Sequence, residues 1–194
     1  MNFPLAPEII AGILGASGPL PNVRANWPLL EAALDRRGIH STPTAVATIA
    51  TVAVETGTFW PVKERGGPGY LTDLYEGRVD LGNNRPGDGA RFRGRGFVQI
   101  TGRVNYTRYA AETGHDLVGN PDLAMDPAVA ADILALYFAD RHVPLAANAQ
   151  NWPLVRRKVN GGMNNWDRFI DAVGKLWAAL AVYEIPATAG TETT

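Results

Sequence analysis

The sequence predicts a mainly α-helical single domain that is interrupted by one glycine-rich segment. Its 194 residues are enough for one domain with a sizeable core. Several stretches carry apolar residues at helical spacing, opened by a proline and closed by a glycine. Residues 58–98 break this pattern with many glycines and little periodicity. A connection of that length is typical of a functional loop or of short hairpins.

The N-terminal half contains an apolar segment and two predicted helices. The stretch LAPEIIAGILG is followed by a glycine- and proline-rich turn, SGPLPN. A helix is predicted from WPLLEAALDRRG, with Pro28 at its start and Gly38 at its end. STPTAVATIATVAVETG predicts the next helix, with Thr42 as N-cap, Pro43 as its first residue and Gly57 as its stop. β-branched residues would also suit a strand there, but the length favours a helix.

Four more helices are predicted towards the C-terminus. The first is predicted from VNYTRYAAETG and ends at Gly114. The second is predicted from DPAVAADILALYFADRH, with Asp126 as N-cap and Pro127 as its first residue. The third is predicted from NWPLVRRKVNGG and ends at Gly161. The last, NWDRFIDAVGKLWAALAVYE, is long and amphipathic. Its apolar side is formed by Phe169, Val173, Leu176 and Leu180.

No internal repeat divides the chain, but its final residues differ in composition. The stretch IPATAGTETT is small and polar, which is typical of a linker or a chain end. We therefore predict one folded domain over residues 1–185 and a polar tail, or the start of a linker, over 186–194.

Composition excludes several classes of function. The net charge is −1, so the molecule as a whole is not expected to bind nucleic acid. The chain has no cysteine, which excludes disulfides, thiolate zinc sites and cysteine nucleophiles. Its three histidines are scattered, so no metal-ligand set is recognisable. The N-terminus lacks a secretory signal pattern and no run is long enough for a bilayer, so no membrane insertion is expected.

Glu55 is the first candidate catalytic residue. It lies in the last turn of an apolar helix, beside the glycine that ends the helix. The partial negative charge of a helix C-terminus and burial both disfavour a carboxylate, so we expect the pKa of Glu55 to be raised. A carboxylic acid that stays protonated near neutral pH can act as the general acid in sugar hydrolysis. The alternative is a helix-end glutamate that points into water.

Glu64 is the candidate for the second carboxylate. It follows in a glycine-flanked loop, where it is expected to be solvated and ionised. One protonated and one ionised carboxyl group form the pair that glycosidases use. Glu76 and Asp73 are rivals for this role, and a salt bridge of Glu64 with a neighbouring lysine or arginine is the structural alternative.

The stretch GARFRGRGFVQITGRVNY combines glycines with uncharged hydrogen-bonding side chains. Amide and hydroxyl groups such as those of Gln99, Thr101 and Asn105 match neutral sugar hydroxyls and acetamido groups. Gln99 and Thr101 are two residues apart, so an extended segment would point both to one face. Glycines 94, 96 and 102 would let the backbone approach a ligand or turn sharply, or would only shape the loop.

The same region carries the resemblance to a known family. YEGRVDLGNNRPGDGARFRGRGFVQITGRVNY, from Tyr75 to Tyr106, is preceded by VETG and followed by VNGG. This pattern resembles glycoside hydrolase family 19 and is especially similar to the chitinase-like endolysins of bacteriophages. By motif order the resemblance covers roughly residues 40–180. It implies a lysozyme-like, two-lobed helical fold with a sugar-binding cleft between the lobes.

The resemblance also implies roles for single residues. Glu55 matches the general acid, Glu64 the general base, and Thr101 a hydroxyl that helps to hold the attacking water. Four residues match side chains that bind the sugar: Gln99, Asn105, Tyr106 and Asn160. Arg168 falls where the family often carries an arginine that supports the acidic residues. The histidine that usually precedes the first glutamate is replaced by Val54.

Residues 78–108 contain seven arginines but only two acidic residues, Asp80 and Asp88, which gives a local excess of five positive charges. No P-loop is present, and a nucleic-acid site would need a broader basic face. Bracing of the loop is the interpretation for Arg93 and Arg95. Other arginines are candidates to attract an anionic cell-wall polymer.

The function expected from this resemblance is that of a phage endolysin. It would hydrolyse β-1,4 bonds in bacterial peptidoglycan, with inversion and without a metal or organic cofactor. A chitinase acting on chitin oligosaccharides and a non-catalytic wall-binding module are the alternatives. The expected protein is a monomer that stays in the host cytoplasm until it is released to the cell wall.

Overall fold

A computed structural model describes residues 3–183 of the chain. Within this range lie ten α-helices and two short strands, β1 at Val62–Lys63 and β2 at Arg95–Gly96. Three 3-10 helices cover 15–17, 79–81 and 121–125. The α-helices are α1 (Pro7–Leu14), α2 (Leu20–Arg36), α3 (Thr42–Thr56), α4 (Pro68–Tyr75), α5 (Asp88–Arg91), α6 (Arg103–Thr113), α7 (Pro127–Asp140), α8 (Val143–Asn148), α9 (Trp152–Asn160) and α10 (Trp166–Tyr183). The mainly α fold is confirmed, and the predicted tail over 186–194 lies outside the described residues.

Most of the predicted helix ends are confirmed by their caps. Asp126 accepts hydrogen bonds from the N–H groups of Ala128 and Val129 at the start of α7. Gly57, Gly114 and Gly161 end α3, α6 and α9 in the left-handed conformation. A side chain would be strained there, which is why glycine marks these ends so reliably.

Two helix starts differ from the prediction. The N-cap of α3 is Ser41, whose hydroxyl accepts the N–H of Thr44 at 3.2 Å, and Thr42 is already helical. Helix α2 begins at Leu20, within the predicted turn, and Pro28 lies inside it. Pro28 is exposed, so water can bond the carbonyl that its missing N–H leaves free.

The glycine-rich segment contains more helix than its sequence indicates. Its strands β1 and β2 pair antiparallel, with Val62 opposite Gly96 and Lys63 opposite Arg95. They do not form a hairpin, because α4, a 3-10 helix and α5 lie between them, so the expectation of short hairpins is not supported. The helices α4 and α5 were not predicted, and neither was α8. Each has eight residues or fewer, which is too short for a clear apolar period.

Two hydrophobic cores give the molecule two lobes. The larger core joins α1–α3 with α8–α10, and α3 is buried along almost its whole length; we call this part the helical lobe. The smaller core lies under residues 61–126 and includes Phe92, Ile100 and Tyr106; we call this part the loop lobe. Helix α7 serves both, with Leu134 in the larger core and Ile133 in the smaller. No helix within residues 3–183 is both long and apolar enough to cross a bilayer.

Candidate active site

Glu55 stands at the C-terminal end of α3, on the helical lobe. Its side chain is 19% exposed and accepts a hydrogen bond of 2.5 Å from Nη1 of Arg156. Arg156 comes from α9 and is fully buried. Because a buried cation needs a compensating charge, this ion pair fixes both side chains. Glu55 is therefore not a freely solvated helix-end residue.

Arg156, which the sequence analysis missed, supports Glu55 in place of Arg168. Its Nε also donates to the carbonyl of Asn164 at 2.8 Å, so the guanidinium is held from two sides. Arg168 is exposed on α10 and donates to the hydroxyl of Ser17 at 3.0 Å. The expectation for Arg168 is therefore wrong, because its side chain reaches the 3-10 helix after α1 and not Glu55.

Glu64 directly follows β1 and is held by two donors from the loop lobe. The hydroxyl of Tyr75 donates to Oε1 at 2.8 Å, and the N–H of Gly94 donates to Oε2 at 3.0 Å. Burial, followed by the hydrogen bond to Glu64, raises the pKa of Tyr75 to about 12. The phenol therefore remains a donor throughout the neutral pH range. Sequence spacing gave no signal for this contact, because Tyr75 is the last residue of α4 and reaches Glu64 only through the fold of that helix.

The structure does not support Glu76 or Asp73 as the second carboxylate, and it does not support a salt bridge of Glu64 with a neighbouring lysine or arginine. The carboxylate of Glu76 accepts the N–H groups of Gly87 and Gly89 at 2.6 and 2.7 Å, so it braces a loop. Lys63 pairs with Asp122 at 2.9 Å. Asp73 is exposed on α4.

Gln99 and Thr101 lie next to Glu64, but not in an extended segment. Gln99 has a φ of 51°, so the chain turns there, and the bridge between Arg95 and Ile100 closes the turn. A Cβ placed on Gly94 would lie 2.8 Å from Oε1 of Gln99 and 3.3 Å from both Oε2 of Glu64 and Oγ1 of Thr101. The three polar side chains therefore meet over Gly94, where only glycine fits.

A cleft of about 320 Å³ opens beside this group. The predicted residues Gln99, Thr101 and Asn105 line it, together with Arg108, Tyr137 and Arg141. The amide nitrogen of Asn105 donates to the carbonyl of Thr101 at 2.7 Å, which leaves its oxygen as an acceptor.

Tyr137 connects the cleft with Glu55. Its hydroxyl donates to the carbonyl of Val159 at 2.6 Å. Burial raises the pKa of Tyr137, the positive charge of Arg141 opposes this rise, and the negative charge of Glu55 adds to it. The charge of Glu55 therefore acts on a side chain that lines the cleft, although neither Glu55 nor Glu64 is itself a lining residue.

Asn160 and Tyr106 have different surroundings. Asn160 ends α9, and its buried Oδ1 has no hydrogen-bond partner among residues 3–183, so an acceptor is free for a ligand. Tyr106 is fully buried; its hydroxyl donates to the carbonyl of Arg93 at 2.8 Å and accepts from Nη1 of Arg95 at 2.9 Å. Tyr106 thus supports the loop from inside, and its expected role in binding sugar is not supported.

The bracing role predicted for Arg93 and Arg95 is confirmed. Arg95 is 5% exposed and bonds Asp122 and the carbonyl of Arg91. Arg93 donates to the carbonyls of Ala90 and Gly66.

Within residues 3–183, no three acidic or histidine side chains are grouped to hold a metal ion.

Comparisons with known proteins agree with this architecture. The family model for class I chitinases matches residues 32–147. A bacterial family 19 chitinase shares the fold with a TM-score of 0.62 at 20% identity, over 88% of this chain and 94% of that one. Chitinase C from Streptomyces griseus has a TM-score of 0.59 at 19% identity, over 94% of this chain and 77% of that one. The helical, lysozyme-like fold is therefore that of the family 19 chitinases.

Sequence relatives point the same way. A glycosyl hydrolase family 19 domain-containing protein of Haemophilus influenzae is 34% identical over 114 residues, which are 56% of this chain and 50% of that protein. An acidic 27 kDa endochitinase of Solanum lycopersicum is 42% identical over 50 residues, 26% of this chain and 20% of that one. The matches thus span half or less of these relatives. The chain belongs to glycoside hydrolase family 19.

Proposed function

We propose that this chain hydrolyses β-1,4 glycosidic bonds beside N-acetylated sugars in bacterial peptidoglycan, as a phage endolysin does. The observation that carries the proposal is the arrangement of two glutamates on different lobes. Glu55 is held by Arg156, and Glu64 is held by Tyr75 and Gly94. A polar cleft lined by amide and hydroxyl side chains, Gln99 and Thr101 among them, lies on the side of Gly94 where Glu64 is held.

Glu55 is the general acid in this proposal. It protonates the leaving oxygen as the glycosidic bond breaks, and the sugar develops positive charge. Arg156 holds the carboxyl group of Glu55 in one position through a hydrogen bond from Nη1. The helical lobe thus supplies the acid from a rigid helix end.

Glu64 is the general base. Oε2 of Glu64 and Oγ1 of Thr101 lie on the same side of Gly94, so a water in front of both side chains could be bonded by both groups. The water loses its proton to Glu64 as it attacks the anomeric carbon, and inversion of configuration results. The side-chain amide of Gln99 donates hydrogen bonds to the carbonyls of Val62 and Gly96. Its Oε1 is therefore fixed as an acceptor on the side of Glu64 and Thr101.

The test uses purified peptidoglycan and the variants Glu55→Gln and Glu64→Gln. Each variant should lower the rate of reducing-end release by about 10²- to 10⁴-fold, the usual contribution of acid–base groups. The matched control is Glu8→Gln, a carboxylate that pairs with Arg24 on the surface of the helical lobe. Near-normal lysis by folded Glu55→Gln would contradict the proposal.

Chitin is the second candidate substrate, favoured by the endochitinase and chitinases among the similar proteins. Both polymers contain β-1,4-linked N-acetylglucosamine, and only peptidoglycan carries lactyl-peptide stems. Rates on chitin oligosaccharides and on peptidoglycan, measured side by side, decide between them. Mass spectrometry of the peptidoglycan digest identifies the new reducing sugar and hence the bond that is cut.

A further inference from the structure

The arginines of the loop lobe divide into two groups by their partners. Four of the seven between residues 78 and 108 form ion pairs: Arg78 with Asp80, Arg95 with Asp122, Arg103 with Asp88, and Arg108 with Glu112 and Asp140. The guanidinium groups of the remaining three, Arg85, Arg91 and Arg93, have no carboxylate oxygen within 4.0 Å among residues 3–183, although the backbone N–H of Arg85 donates to Oδ2 of Asp88 at 3.2 Å. The excess positive charge seen in the sequence therefore persists at these three positions.

Arg85 and Arg91 line the same groove, which is separate from the sugar cleft. The groove has a volume of about 570 Å³, and its floor contains the ion pair between Asp88 and Arg103. Arg85 and Arg91 are both exposed at its sides. Three arginines and Asp88 thus line the groove, and two further carboxylates bind its glycines: Asp116 accepts the N–H of Gly119 at 2.7 Å, and Glu76 accepts that of Gly87 at 2.6 Å. The side chains that line the groove therefore carry more positive than negative charge, and the two further carboxylates are engaged by backbone N–H groups.

Arg91 is held in place without being neutralised. Its Nη2 donates to the carbonyls of Val118 and Gly119, each at 2.8 Å. Carbonyl oxygens carry no net charge, so the guanidinium keeps its positive charge and still has unused N–H donors. A fixed guanidinium loses less conformational entropy when it binds an anion than a free side chain does.

The groove lies close to the sugar cleft along the chain. Thr101 and Asn105 line the cleft, whereas Arg103, between them in sequence, lines the groove. Leu81 also lines the cleft, and a Cβ on Gly102 would lie 2.6 Å from its carbonyl oxygen. The segment from Thr101 to Asn105 therefore contributes side chains to both depressions.

We propose that the groove beside Arg85 and Arg91 binds carboxylates of the peptide stems of peptidoglycan while the glycan strand occupies the cleft. This inference rests on the proposed function and assigns the preference for peptidoglycan over chitin to these two arginines. Guanidinium groups suit carboxylates because they offer paired N–H donors in one plane. Chitin carries no such anion and gains nothing from the groove.

The experiment compares teichoic-acid-free peptidoglycan with the same glycan after an amidase has removed its peptide stems and carbodiimide coupling to ammonia has converted the lactyl carboxylates that remain into amides. The variants are Arg85→Gln, Arg91→Gln and the double variant. The matched control is Arg37→Gln, an exposed arginine on the helical lobe. Since exposed charge pairs contribute modestly, the double variant should lower the ratio of kcat/KM on intact to stripped substrate by about three- to tenfold. The control should keep the ratio of the unmodified protein.

The possible outcomes separate this inference from the function itself. An unchanged ratio in the double variant, or an equal loss on both substrates, overturns the inference and leaves the glycosidase intact. Failure of the unmodified protein to cut either substrate overturns the proposed function. Arg91→Gln could loosen the segment at Val118, which Arg91 binds. Arg91→Lys keeps the positive charge and so separates the loss of charge from the loss of this contact. Arg85 is exposed, so Arg85→Gln tests the charge without disturbing the fold. Raising the salt concentration should reduce the preference of the unmodified protein more than that of the double variant.

Discussion

The helical lobe and the loop lobe hold their candidate catalytic residues by different physical means. In the helical lobe, α3 is packed into the larger core by apolar side chains, and Glu55 emerges where that burial ends. In the loop lobe, single polar side chains hold the backbone: Glu76 binds Gly87 and Gly89, and Asn83 binds Tyr75 and Arg103. Apolar packing fixes the helix that carries Glu55, whose carboxyl group is then held by Arg156, whereas Glu64 is held by hydrogen bonds from a segment with little apolar packing.

This difference indicates where substitutions should act. Apolar packing is distributed over many contacts, so a change in the helical lobe should appear mainly as lost stability. Hydrogen bonds in the loop lobe are few and directional, so a change there should appear mainly as lost rate. Each prediction below tests one side of this division.

The largest effect is expected from Arg156→Met. It leaves the carboxylate of Glu55 and the carbonyl of Asn164 without their buried partner. Breaking a buried ion pair by removing one member costs about 3–5 kcal/mol, and the rate should also fall because Glu55 loses its fixed position. Chemical denaturation and reducing-end release measure the two effects. Arg168→Met is the matched control, and an equally large loss there would restore the assignment made from sequence.

A somewhat smaller effect is expected from Ile49→Ala. Ile49 is fully buried in the middle of α3, so its truncation should cost about 2–5 kcal/mol of unfolding free energy. The kcat of the folded fraction should change by less than about twofold, because the end of α3 is held separately by Arg156. Val79→Ala, which truncates a residue that is 86% exposed, is the control. A kcat loss as large as that of a Glu64 variant would break the proposed division.

Tyr75→Phe should lower kcat with little loss of stability, which is the reverse of the effect of Ile49→Ala. It removes the donor to Oε1 of Glu64 but little apolar contact. A hydrogen bond to a charged group is worth about 1.5–3 kcal/mol. If this energy serves to hold Glu64 in its reactive position, kcat should fall about tenfold or more, while the free energy of unfolding should change by little. Tyr70→Phe alters an exposed tyrosine of the same helix and should have no effect. Equal kcat values for the two variants would show that Glu64 does not need this donor.

The smallest effect concerns acid stability. A hydrogen bond from Arg103, opposed by burial, lowers the pKa of Asp88 below its ordinary value of about 3.9. Its contribution to stability is therefore complete above that ordinary value and is lost as the pH falls through the lowered folded value. Unfolding free energy measured between pH 6 and pH 2 should fall less steeply in Asp88→Asn. Parallel curves for both proteins would contradict this.

Local signals explain why much of the helical lobe could be predicted. Asp126 before Pro127 marks a helix start, and glycines such as Gly57 mark helix ends, because each satisfies a local backbone requirement. Pro28 misled the prediction of α2 for the same reason, since an exposed proline is tolerated inside a helix although it resembles a start signal.

The candidate site was predictable only in part, because its support comes from distant residues. Glu55 and Glu64 were found by motif, but Arg156 reaches Glu55 across 101 positions. One signal for Arg156 exists: it lies beside Val155 and before Val159 on the buried face of α9, where an arginine requires a partner. Tyr75 gave no comparable signal, since its contact depends on how α4 folds back.

Separate assignment of the acid and the base is the most direct test of the account. An aryl glycoside with a dinitrophenolate leaving group needs no proton to depart, so it bypasses a missing acid but not a missing base. On a dinitrophenyl glycoside of the N-acetylglucosamine disaccharide, Glu55→Ala should recover most of the rate that it loses on the polymer. Glu64→Ala should stay inactive on both until azide replaces the activated water. Equal losses for Glu55→Ala on both substrates would contradict the division of roles between the two lobes.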